Sequence, residues 1–138
     1  MDGASIFDGD GSSVHLAEGS VFVLRVHGVL TRADIEAALR TIWALPSWSQ
    51  PWGLVVSFDA EGTYEPEIRL LSVPPVHRRA VATAVAAPRF MYRMVVHSIG
   101  VGLRLTSAFE LTAHEREDEA IDHIAARVRH AHQANRRY

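Results

Sequence analysis

Asp59, Glu61, Glu65 and Glu67 follow directly on the apolar run Leu54 to Phe58. Hard carboxylate oxygens at the carboxyl end of a strand are one way to hold a divalent cation. The same stretch also reads as a turn, with Asp59 capping local backbone, Gly62 supplying a positive φ and the glutamates solvated near a helix start. The turn is the favoured reading, and neither a metal nor another cofactor is expected.

Eight histidines raise a second metal or acid–base possibility. On a helix, zinc is chelated by a pair one turn apart. His123 and His130 stand two turns apart, and His130 and His132 two residues apart. His27 falls at a strand end beside Gly28, His77 next to Arg78 and Arg79, and His97 on a polar stripe. These are surface or boundary positions. No Gly-x-Ser-x-Gly elbow is present, and with no cysteine there is neither a thiol nucleophile nor a disulfide framework. No catalytic residue is assigned.

The strongest positive signal is the segment Arg89 to Leu105. Its spacing predicts a helix with two apolar lines. Met91, Met94, Val95, Ser98, Val101, Gly102 and Leu105 form a face that a sheet can cover, while Tyr92, Val96, Ile99 and Leu103 form a second. Polar residues are confined to Arg93, His97 and Arg104. A helix apolar nearly all round must be covered by its own domain, by another chain or by a ligand. Tyr92, Val96, Ile99 and Leu103 are therefore the candidate surface for a protein partner, for a second copy in a homodimer, or for a small apolar, lipid-like ligand.

The rest of the chain must position that helix. Its 138 residues, 48% apolar and 22% charged, suit one globular core, and a net charge of −2 gives no footprint for nucleic acid. No apolar run reaches the length of a membrane span, and the first residues lack a secretory pattern. All basic residues are arginine, and alanine is abundant, which fits a GC-rich bacterial genome and a cytoplasmic location.

Residues 1–12 carry few large apolar groups and read as a tail, 13–132 as the domain, and 133–138 as a basic C-terminal end. Val14 to Glu18 and Val21 to His27 alternate as strands across Gly19-Ser20, with Phe22, Leu24 and Val26 as the better core face. Thr31 is the N-cap of a helix carrying Ile35, Ala38, Leu39, Ile42 and Trp43, with Asp34 three positions on. Trp43, Trp48 and Trp52 surround a proline-rich connection and plug the end of the core. Strand Leu54 to Phe58, a short helix from Pro66 carrying Ile68, Leu70 and Leu71, the small-residue strand Ala80 to Ala87, and a short strand Phe109 to Ala113 follow. A last helix buries Ile121, Ile124, Ala125 and Val128, with its acids at the start and its bases at the end. This order predicts an α/β domain, a single mixed and mostly parallel sheet of about five strands with helices.

The stretches VFVLRVHGVLTRADIEAAL, APRFMYRM and FELTAHEREDEAIDHI resemble the SpoIIAA-like branch of the STAS superfamily over roughly residues 14 to 130. The shared features are a strand ending in Gly before the first helix, a Pro-started helix with an Arg-Met step (Pro88, Arg93-Met94), and an acidic helix start (Glu117-Asp118-Glu119-Ala120). The resemblance implies a regulatory or protein-interaction module without catalysis. Anti-sigma-factor antagonists of the superfamily carry a phosphorylatable Ser in an Asp-Ser-Ser-Gly turn. Here FDAEGTYEP stands in that place, so the resemblance leaves Thr63 as the possible phosphoacceptor of such a switch.

Overall fold

The computed structural model describes residues 5–8, 12–17, 20–43, 51–64, 80–106 and 110–135. The elements run β1 (Ser5–Asp8), β2 (Ser12–Leu16), β3 (Val21–Val26), β4 (Val29–Leu30), α1 (Arg32–Trp43), β5 (Trp52–Phe58), β6 (Thr63–Tyr64), β7 (Ala80–Ala86), α2 (Phe90–Thr106), β8 (Glu110–His114) and α3 (Glu117–Asn135). Six strands form one sheet in the order β1-β2-β3-β5-β7-β8, and β4 and β6 make a separate two-stranded parallel pair. β1 to β3 are antiparallel neighbours, and β3, β5, β7 and β8 are parallel. The expected mixed α/β sheet is present, one strand wider than predicted.

The extra strand corrects the reading of residues 1–12 as a tail, since Ser5–Asp8 pairs with Ser13–His15 across an irregularity between Ser5 and Phe7. Composition weighs only what side chains can bury. An extended segment beside an open sheet edge also gains main-chain hydrogen bonds, whatever its side chains. At the other end α3 runs past the domain limit expected at residue 132, to Asn135. The proposed helix from Pro66 and the connection around Trp48 lie outside the described residues.

Parallel strands between helical layers are buried on both faces. β3 shows this directly: Phe22, Leu24 and Val26 join one core cluster, and Val21 and Val23 the other. The first cluster continues through Val14, Leu30, Trp52, Leu54, Phe58, Val85, Ala87 and Leu111, and Phe22 meets Trp52 edge-on at 5.8 Å. Trp52 is fully buried and fills the core as expected. The second cluster sets Val55, Ala82, Ala84 and Ala86 against Ala120, Ile124, Ala125 and Val128 of α3. The alanines of β7 and Gly53 of β5 let α3 come close; a Cβ on Gly53 would collide with Ile124 Cγ2.

The helix starts follow their local chemistry. Asp34 N–H donates to Thr31 Oγ1 at 3.1 Å and Thr31 N–H donates to Asp34 Oδ2 at 3.4 Å, a reciprocal cap for α1. At α2, Arg93 folds back so that Nη1 donates to the carbonyls of Ala87 and Pro88, each at 2.9 Å. That ties the helix to the end of β7. Gly100 allows α2 to lie on β8, where a Cβ would strike the Leu111 carbonyl oxygen.

Candidate functional site

α2 packs its Tyr92, Val96 and Ile99 line against the first core cluster, and Tyr92 meets Phe58 edge-on at 5.6 Å. These three side chains are only partly exposed, and the Leu103 side chain lies outside the described residues. The predicted partner face is thus the one the domain uses for itself. Of the face assigned to the sheet, Met91 is 67% exposed, Met94 49% and Val101 44%, and the neighbouring Phe90 is 64% exposed.

The physical reason is that a 3.6-residue period marks two apolar lines without saying which turns inward. Gly100, required for close approach to Leu111, flanks the inward line and is the signal that could have chosen between them. The outward line forms an apolar strip along α2. Ser98 and Gly102 lie within it, and a Cβ at Gly102 would meet no other atom within 4 Å. Its flank holds Arg93 and His97, and α2 contains no acidic residue.

The start of α2 abuts a second feature, at the carboxyl ends of the parallel strands. Val26 of β3 is registered with Phe58 of β5, so the next residues, His27 and Asp59, emerge side by side. His27 Nδ1 donates to Asp59 Oδ2 at 3.0 Å, and the two side chains are 59% and 48% exposed. Asp59 Oδ1 accepts the N–H groups of Glu61 at 3.0 Å and Gly62 at 2.8 Å. The His27 hydrogen bond, with lesser help from those two N–H groups, holds the Asp59 carboxyl below its ordinary value against slight desolvation. Asp59 therefore shapes the turn and also orients a histidine, a pairing that reading the two positions separately missed.

Gly62 is there for room rather than for a left-handed backbone, since a Cβ would come 2.5 Å from the Val26 carbonyl oxygen. Arg89 closes the corner: Nη2 donates to the Ala60 carbonyl at 2.9 Å and Nη1 to Tyr92 Oη at 3.2 Å. Thr63, the candidate phosphoacceptor, sits half-buried in β6 with its N–H given to the Gly28 carbonyl at 2.9 Å. Glu65 and Glu67 lie outside the described residues. Among the described residues no group of three or more His, Asp or Glu side chains could hold a metal ion, and no helix is long and apolar enough to cross a membrane.

A third polar group gathers where β8 meets α3. Glu110 accepts from His123 Nε2 at 2.9 Å and pairs with Arg127 at 2.7 Å, and the His123 ring lies 5.3 Å from that of His114. Burial, and then the neighbouring His123, push the His114 pKa down, with Glu119 opposing. This group braces the last helix on the last strand.

No protein-family model and no curated protein matches the sequence. Among solved structures, an uncharacterised protein of the DUF3478 family with a SpoIIAA-like fold, from Shewanella loihica PV-4, superposes with a TM-score of 0.57 at 13% identity, over 86% of this chain and 98% of that chain. At that identity the likeness speaks for the fold alone, and the chain has a SpoIIAA-like fold.

Proposed function

We propose that this domain is a non-catalytic regulatory or interaction module that docks protein through the outward face of α2. The observation that carries the reading is the exposure of Phe90, Met91, Met94 and Val101 on a helix whose opposite side already packs on the core. Large apolar side chains aligned on one surface mark contact sites, and methionines adapt to a partner's contours. Ser98 and Gly102 leave room for a facing backbone within the strip. A second copy of the chain is the first candidate partner, because two such strips can meet across a two-fold axis.

Sedimentation velocity over a concentration series tests this with the wild type, Met94→Asp and Val101→Asp. The wild type should sediment faster as concentration rises, and both variants should stay monomeric with unchanged circular dichroism. A wild type that remains monomeric throughout removes the second copy. Photo-crosslinking from positions 91 and 94 that yields no protein adduct then removes the docking face itself.

A further inference from the structure

Independently of any partner on α2, we propose that Nε2 of His27 is a phosphoacceptor, activated and aimed by Asp59. A carboxylate can only accept, so the 3.0 Å contact places the ring proton on Nδ1. In the neutral ring the Nε2 lone pair is then free. Asp59 is itself held in place by Glu61 N–H and Gly62 N–H, so the ring is oriented by a fixed group. This is how a carboxylate sets the tautomer of a working histidine and stabilises the imidazolium that forms in reaction.

The surroundings favour a surface modification over turnover. His27 is well exposed and stands where two parallel strands end, the position at which α/β sheets present reactive groups. Arg89, anchored on the Ala60 carbonyl next to Asp59, brings a guanidinium to the same corner.

The donor is of the phosphoramidate or acyl phosphate class. Nε2 attacks phosphorus, a P–N bond to the ring forms, and the donor's own P–N or P–O bond breaks. Ammonia or the carboxylate leaves with that electron pair. Nδ1 keeps its proton, and the positive charge on the ring faces the Asp59 carboxylate. The added group carries close to two negative charges at the carboxyl end of β3.

The test treats the full chain with potassium phosphoramidate near neutral pH and follows each histidine by peptide mapping, with 31P–1H NMR to identify the ring nitrogen. His27 should be labelled first, on Nε2, several-fold faster than the exposed His97 and His130 of the same molecules. Asp59→Asn should slow His27 by about tenfold while leaving His97 and His130 unchanged, because a carboxamide N–H facing Nδ1 favours the tautomer protonated on Nε2. His27→Gln should abolish the fast label. Equal rates at His27, His97 and His130, labelling of His27 on Nδ1, or an Asp59→Asn variant with full His27 reactivity would overturn the assignment. Circular dichroism of each variant reports the fold, and where a variant misfolds the wild-type rate order and ring position decide alone.

Discussion

The guanidinium of Arg25 on β3 meets both carboxylate oxygens of Glu117 in the first turn of α3, Nε to Oε1 at 3.0 Å and Nη2 to Oε2 at 3.1 Å. This parallel fork links the sheet to a helix start ninety-two positions along the chain. It also places a negative charge where the helix dipole favours one. Glu117→Gln keeps the shape and removes the charge, so it should cost about 1 kcal/mol, the scale of a well-formed, partly screened ion pair. Urea unfolding at low and high salt checks this, with the wild-type advantage shrinking as salt rises.

The orientation of α2 predicts opposite outcomes for its two apolar lines. Ile99→Ala should destabilise by about 2 kcal/mol, since the side chain packs on the core. Met91→Ala, on the exposed side, should stay within about 0.5 kcal/mol of wild type. A Met91→Ala variant less stable than Ile99→Ala would mean that the helix is turned the other way.

Two glycines of α2 make a sharper pair. Gly102→Ala adds a methyl into open space and should stabilise by about 1 kcal/mol through helix propensity. Gly100→Ala drives a methyl into the Leu111 carbonyl and should destabilise by about 2 kcal/mol. Thermal unfolding read by circular dichroism separates the two signs.

His114 predicts a pH dependence. Its folded-state pKa is depressed, first by burial and then by His123, so the unfolded chain binds the proton more readily. The contribution to stability is full above the ordinary histidine value of about 6.5 and is lost as pH falls from there through the folded value. Urea midpoints measured across that range should decline on acidification in the wild type and decline less in His114→Gln.

What the sequence made legible was whatever depends on neighbours in the chain. The cap at Thr31 and Asp34, the buried line of Ile124, Ala125 and Val128, and the alternation of Phe22, Leu24 and Val26 against Val21 and Val23 in β3 follow from local spacing. What it hid depends on contacts across the fold. The period of α2 could not say which line the sheet takes, and β1 needed a neighbouring edge to become a strand. His27 and Asp59 meet because two parallel strands end level, a fact carried by neither segment alone.

Gly53 and Ile124 fit as a hollow and the knob that occupies it. Such a fit binds the histories of two distant positions: a lineage that acquires bulk on the strand must trim the helix, or it loses the seating of its last helix. Aligned descendants of this chain would then show the two sites exchanging size, a record of contact written in inheritance rather than in coordinates.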